Sequence, residues 1–276
     1  MRLPSQGMTG DTGPVAAREQ VIVAGAGIVG SVTALVLAAQ GIPVTLIDPA
    51  VDPSEDERGA ILHPATLDLL EASGVTAFLL EHGTLCPTLQ YREHANGPIT
   101  EFDLAGLANE MRHPYRVLFR RAALIRFLHD AVRAAPGARV LLSCCPLRLR
   151  QNDWHVELVV QLPQGVATLI GAYLIGAEDE LSGVRALLGV PQDILAPPAR
   201  FVSSTIEFDF RAALGDVRPI TYFADHSAWS LLVQRRGQWE MLYPVPRDMS
   251  DMEAVDAKTI VAQLARIARG AVQAPI

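Results

Sequence analysis

Gln20-Val21-Ile22-Val23-Ala24-Gly25-Ala26-Gly27-Ile28-Val29-Gly30 decides the fold. Its apolar run reads as a strand, and the glycines that follow are spaced G-x-G-x-x-G. Gly25 permits a tight turn out of the strand, Gly27 lets the backbone approach a pyrophosphate, and Gly30 lets the next helix pack close to the sheet. Ala26, Ile28 and Val29 complete the cofactor-binding stretch, with phosphates expected on the helix N-terminus. The helix should run from Ile28 to Gln40 and stop at Gly41, ahead of a second strand, Val44-Thr45-Leu46-Ile47, that ends in Asp48. Asp48 lies 21 residues beyond Gly27, where a carboxylate can accept hydrogen bonds from both hydroxyls of an adenosine ribose. The spacing therefore predicts a dinucleotide and disfavours a free 2′-phosphate. A lone glycine motif arises for steric reasons too, but here strand, helix, stop and acid follow in the required order.

The rest of the composition narrows the class. With 276 residues, half of them apolar, the chain can bury an α/β core and a second lobe. A net charge of −7 without a basic block argues against a nucleic-acid partner. Lys258 is the only lysine, in an expected surface helix, so no catalytic lysine is expected. Cys86, Cys144 and Cys145 lack metal-ligand or Cys-x-x-Cys spacing, and the adjacent pair reads as buried strand filler. Residues 1–18 lack an apolar signal-peptide core, and no run reaches the roughly 18 apolar residues of a membrane span. A cytoplasmic protein with a disordered tail over 1–18 is expected.

Further along, Asp52 to Arg58 reads as a polar loop and Ala65 to Ala72 as a helix closed by Ser73-Gly74. Leu89–Arg92 and Ile99–Phe102 flank Ala95-Asn96-Gly97-Pro98 in a hairpin pattern. An amphipathic helix is expected from Arg121 to Ala135, with Leu124, Phe127, Leu128 and Val132 on one face. Strands are expected over 139–144, 154–162 and 168–175, the last closing on Gly176-Ala177. Alternating runs over 201–210, 220–224, 228–234 and 239–243 suggest an antiparallel sheet with one wet face, followed by a helix over 252–269. The proline-rich stretch Val190 to Pro198 suggests a boundary. The domains expected are a mainly dinucleotide-binding part over 19–190, a second-lobe sheet over 199–249 that also takes the hairpin near 89–102, and a C-terminal helix and tail over 250–276.

The order of these elements resembles the FAD-dependent aromatic hydroxylases, single-component flavoprotein monooxygenases built like para-hydroxybenzoate hydroxylase. Arg58-Gly59-Ala60-Ile61-Leu62-His63-Pro64-Ala65-Thr66-Leu67 is similar to the loop and helix that place an arginine near the FAD phosphates. Arg121-Ala122-Ala123-Leu124 resembles the helix start whose arginine also serves FAD. A cation in a first helical turn opposes the helix dipole, so Arg121 asks for an anion nearby. Tyr222-Phe223-Ala224-Asp225 through Trp229, Gly237-Gln238-Trp239-Glu240 and Tyr243-Pro244-Val245-Pro246 are similar to the substrate-lobe sheet. The resemblance, spanning 20–269, implies an α/β fold: a Rossmann-like FAD-binding domain with an interleaved antiparallel-sheet substrate lobe. It implies FAD as cofactor, NAD(P)H as transient electron donor, oxygen as oxidant and an aromatic or polyketide-type small molecule as substrate. His63 is expected to cap its helix, and neither it nor His226 is given a catalytic role.

Two departures bear on activity. Where the family has Gly-Ala-Asp-Gly, this sequence reads Gly176-Ala177-Glu178-Asp179, with Ser182 and Arg185 kept. An added side chain and charge at Asp179 should weaken an anionic cofactor's site. The family's Gly-Asp-Ala-Ala-His motif and its long helix are not found after Tyr243, so a truncated form is expected, with weak flavin binding. Other classes stay open. They are a non-catalytic FAD- or ADP-binding homologue, one half of a split flavoenzyme completed by another polypeptide, and a nicotinamide-dependent dehydrogenase, whose catalytic constellation is not found. A homo-oligomer is also compatible.

Overall fold

The computed structural model describes residues 20–52, 58–94, 96–179, 182–193, 200–224, 229–235 and 237–268. The expected tail over 1–18, most of the loop 52–58, the turn residue Ala95, Asp225 and His226, the boundary prolines of 194–198 and the segment 269–276 lie outside the described residues. The chain forms two compact units, Met1–Arg58 with Arg121–Asp193, and Gly59–Arg120 with Ile194–Ile276. Of residues 59–120 the sequence assigns only the hairpin near 89–102 to the second lobe, beside the sheet over 199–249, whereas the whole of Gly59–Arg120 belongs to that unit.

In the first unit, the strands Tyr173–Gly176, Val21–Ala24, Val44–Ile47 and Ala138–Leu141 lie in that order, all parallel. Side chains alternate across a strand, which explains why Val21–Ala24 is apolar throughout. Val21 and Val23 pack with Ala34 and Ala38 of the helix Ile28–Ala39 and with Val132 of the helix Arg121–Ala134. Ile22 and Ala24 face Leu158 and Val160 of a three-stranded antiparallel sheet, Cys145–Gln151, Val156–Leu162 and Gly165–Gly171. Ile22 and Leu46 are fully buried, each stabilising the fold by about 1.5–3 kcal/mol.

Several expected elements break at identifiable points. The run 139–144 leaves its strand at Leu141, because Ser143 turns to φ 52° while its N–H bonds Ala50 and that of Cys144 bonds Asp48. Cys144 is buried there, its thiol pushed up to about 11 by burial. The run 168–175 splits at Ala172, whose N–H bonds the Gln20 carbonyl, so Gly171 ends an antiparallel strand and Tyr173 starts a parallel one. The strand Cys145–Gln151 was not anticipated.

The second unit holds a six-stranded sheet in the order Arg200–Ile206, Gln238–Val245, Ser230–Arg235, Ile220–Phe223, Thr88–Glu93, Gly97–Asp103. Ile220–Phe223 and Thr88–Glu93 run parallel, so the sheet is not purely antiparallel as expected. One face is closed by Phe210 of a short helix and by Ile260, Leu264 and Ile267 of the helix Ala257–Ile267. The other face is not uniformly wet. Ile220, Leu231 and Val233 pack with Cys86 and Leu118 of a small antiparallel sheet, Gly59–Leu62, Arg116–Arg120 and Thr84–Cys86, that the sequence did not announce. Nor was the helix Val75–His82, which starts after left-handed Gly74. The run 201–210 ends at Ile206, because Asp209 caps the helix Phe210–Leu214 by accepting from the Ala212 N–H. The run 252–269 forms two helices, Asp251–Ala254 and Ala257–Ile267, because Asp256 opens a new N-cap.

Candidate dinucleotide site

Gly25, Asp48 and Ala177 each follow directly on the last residue of a parallel strand, so they converge at the carboxyl ends of the sheet. A cleft of about 330 Å³ opens there, lined also by Gly27, Arg58, Arg121 and Asp179. Such a crevice beyond the strand ends is where open α/β sheets take ligands. Arg58 and Arg121, 63 residues apart, are joined by a 3.0 Å hydrogen bond from the Arg121 N–H to the Arg58 carbonyl. The fold thus brings both arginines to the wall that holds the glycine turn.

The three glycines differ in what their backbone meets. Gly25 has φ +105°, and a Cβ there would lie 2.5 Å from the Ala177 carbonyl oxygen. A Cβ on Gly30 would lie 1.8 Å from the Gly25 oxygen. A Cβ on Gly27 meets nothing within 4 Å, pointing instead into open space. Gly25 and Gly30 are therefore required by packing, whereas Gly27 keeps a cradle empty. Gly27 is the N-cap of the helix Ile28–Ala39 and makes no side-chain capping bond, so the first-turn amides have no side-chain acceptor. Ala26 is buried behind the cleft, and Ile28 and Val29 are not among its lining residues.

Asp48 meets the turn directly. Its Oδ2 accepts from the Ala26 N–H at 2.6 Å and its Oδ1 from the Ala50 N–H at 2.8 Å. A carboxylate has about four acceptor positions, so two remain, as many as the hydroxyls of a ribose. The open cradle at Gly27, the free capacity of Asp48 and the two arginines fit the ADP half of FAD. Asp179 brings a negative charge into the same cleft, while Glu178 turns onto the start of the helix Gly183–Leu187, accepting from Ser182 Oγ at 2.6 Å and the Val184 N–H at 2.9 Å.

His129 was missed in the sequence. Its buried ring places Nε2 2.8 Å from the Ala26 carbonyl oxygen, which also accepts from Ser31 Oγ at 3.1 Å. A carbonyl only accepts, so Nε2 carries a proton. The Ala26 peptide is thereby held on one side by Asp48 and on the other by His129 and Ser31. Spacing could have found it, because Arg121, Ile125 and His129 recur every four residues and share a helix face. The expected face residue Phe127 is only half-buried, and Ile125 and His129 are buried instead. Replacing His129 by Leu is expected to destabilise the chain by about 1–2 kcal/mol through the lost buried hydrogen bond. A lower urea midpoint with an unchanged slope, together with weaker ADP binding, checks this. An unchanged midpoint would show the bond to be idle.

His63 occupies the N-cap position of the helix Pro64–Leu70, but its side chain makes no capping bond, contrary to expectation. Among the described residues no group of three His, Cys, Asp or Glu could hold a metal, and no helix is long and apolar enough to cross a membrane.

The model of the FAD binding domain family matches residues 18–265. A para-nitrophenol 4-monooxygenase of Pseudomonas sp. strain WBC-3 is 27% identical over 238 residues, covering 84% of this chain and 58% of its own. A 6-hydroxy-3-succinoylpyridine 3-monooxygenase of Pseudomonas putida strain S16 is 27% identical over 194 residues, covering 70% of this chain and 49% of its own. The crystal structure of p-nitrophenol 4-monooxygenase from Pseudomonas putida DLL-E4 superposes with a TM-score of 0.84 at 24% identity, over 93% of this chain and 65% of that one. The chain thus spans about half the length of the curated relatives it matches.

Proposed function

The chain belongs to the FAD binding domain family, and from that premise we propose that it works as a flavin-dependent monooxygenase on a small aromatic or polyketide-type molecule, with NAD(P)H as electron donor. The observation that carries this reading is the convergence of Gly27, Asp48, Arg58 and Arg121 on one cleft from three separate stretches of chain. Asp48 would hold the adenosine ribose, the amides after Gly27 the pyrophosphate, and the two arginines would offset its charge. Bound FAD supplies the redox chemistry, and the protein's share is to place it and exclude water. The two Pseudomonas relatives are named for a nitrophenol and a hydroxypyridine, both hydroxylated aromatic rings, which supports the substrate class. A cytoplasmic location and completion of the enzyme by a second copy or another polypeptide belong to the same proposal.

The carboxylate of Asp179 in the cleft favours a second reading, an ADP- or FAD-binding homologue without independent activity. One experiment separates the two: add FAD to the purified chain and follow NAD(P)H oxidation, peroxide release and product over a panel of phenols. Flavin binding with coupled hydroxylation supports the enzyme; bound flavin without product supports the second reading; no flavin binding refutes both. Arg58→Gln and Arg121→Gln are each expected to weaken FAD about tenfold or more, as the loss of a charge-assisted contact of about 1.5–3 kcal/mol requires. If both variants titrate like the parent, the arginines serve something else.

A further inference from the structure

His129 is a titratable ring, 3% exposed, set against the turn that would receive the pyrophosphate. Its Nε2–H donates to the Ala26 carbonyl at 2.8 Å, and its Nδ1 has no partner among the described residues. The Ala26 carbonyl and the Gly27 N–H belong to one peptide unit, in which a trans bond points them in opposite directions. The Gly27 N–H is therefore aimed away from the imidazole, and a stronger donor on the carbonyl makes that N–H a stronger donor in turn. A charged ring would thus act on the cleft through the peptide as well as through space.

The charges around the ring decide when it is charged. The strand Val21–Ala24 and the helix Ile28–Ala39, both packed against the helix Arg121–Ala134, carry no titratable side chain. Asp48, after the strand Val44–Ile47, shares its charge between the Ala26 and Ala50 N–H groups. Arg139 of the strand Ala138–Leu141 is bonded to Gln20 and Thr45 at 3.1 and 3.3 Å. On the helix of His129 itself, Arg126 is exposed and Asp130 pairs with Arg133 at 3.3 Å. Arg121 lies about two turns back and lines the cleft with Arg58, Glu178 and Asp179. Before a ligand arrives, the two arginines oppose a further positive charge behind the turn. A doubly negative pyrophosphate offsets them and attracts such a charge itself, so the balance moves toward the imidazolium.

We propose that His129 takes up a proton when the pyrophosphate of a dinucleotide enters the cleft, so that cofactor affinity rises as pH falls. This rests on the dinucleotide reading of the cleft and adds its regulation by pH. The proton comes from solvent and enters at Nδ1, because the Nε2 proton is already committed to the Ala26 carbonyl; no other bond forms or breaks. The sign follows from which state holds the extra proton. At low pH the ring is charged before the ligand arrives and the gain in affinity is complete, and it fades as pH rises past about 6.5, where an imidazole ordinarily loses its proton.

The test uses the full chain and ADP-ribose, whose pyrophosphate stays doubly ionised across the range in which histidine titrates. Calorimetry in buffers of different ionisation enthalpy counts the protons taken up on binding. The parent should show net uptake at about pH 7, and its affinity should fall about threefold or more between about pH 6 and about pH 8. His129→Gln keeps a donor for the Ala26 carbonyl but no titratable ring. It should take up no proton, match the parent at about pH 8 and bind about threefold or more weaker than the parent at about pH 6. A residue that only held the turn would change affinity equally at every pH. Asp179→Asn should keep the uptake, since that carboxylate is not its source. No uptake in the parent, uptake retained in His129→Gln, or uptake lost in Asp179→Asn would overturn the proposal. Should His129→Gln fail to fold, nitrogen NMR of the parent decides: Nδ1 of His129 must move toward the imidazolium shift when ADP-ribose is added at about pH 7, and an unmoved shift overturns the proposal. Absence of ADP-ribose and FAD binding at every pH would instead remove the cleft as a dinucleotide site, and the proposal with it.

Discussion

Gly27→Val is expected to abolish ADP and FAD binding in a chain that still folds. Gly27 adopts φ −68° and ψ −170°, which any residue accepts, and its Cβ would meet nothing within 4 Å. The folded state therefore loses only about 1 kcal/mol of N-cap preference. Valine's two methyl groups instead occupy the cradle in front of the first-turn amides, where the pyrophosphate must come. Losing two charge-assisted contacts of about 1.5–3 kcal/mol each weakens binding by about a hundredfold or more. Calorimetry with ADP measures this directly. Thermal melting gives a second readout, because ligand raises the melting temperature of the parent and should leave that of the variant where it was. Unchanged ADP affinity in Gly27→Val would remove the cleft as a dinucleotide site.

The first unit was legible because its signals are local. An apolar strand, three glycines and an acid lie within 29 residues, and their spacing alone dictates a parallel strand pair joined by a helix. Arg58 was reached only through family resemblance, since a surface charge in a loop looks the same whatever it binds, whereas Arg121 also stood out as a cation in a first helical turn. His129 was hidden for another reason: the Ala26 carbonyl that defines it lies 103 residues away in the chain. In the second unit the errors share a cause. Strand runs such as 201–210 were extended until apolar residues ceased, but Asp209 and Asp256 ended or restarted elements by capping, which overrides hydrophobic alternation. The parallel pairing of Tyr222 with Tyr91 joins segments 131 residues apart, and neither segment's pattern specifies its neighbour.

Gly30→Ala is expected to fail in the opposite manner, by losing the fold before any question of ligand arises. Alanine would ordinarily help, since it gains about 1 kcal/mol over glycine within a helix. Here its methyl would sit 1.8 Å from the Gly25 carbonyl oxygen and 3.0 Å from the carbonyl carbon, with the Ala177 Cβ at 3.3 Å. Those obstacles are mostly backbone, so no rotamer change relieves them. Gly25 cannot yield, because its own position is set against Ala177 and its N–H bonds the Ile47 carbonyl at 2.8 Å. Overpacking of this kind costs about 1–3 kcal/mol even where side chains can move, and more where they cannot. The clash therefore outweighs the helix gain, and a net loss of about 2–4 kcal/mol should appear as a lower urea midpoint or as insoluble protein. A control at Gly41, where nothing lies within 4 Å but φ is +74°, should cost only the left-handed strain of about 1–2 kcal/mol. A Gly30→Ala chain as stable as the parent would mean that the helix does not sit this close to the turn. The Gly27 amides would then no longer be aimed at a common point, and the cleft would lose its claim to a pyrophosphate.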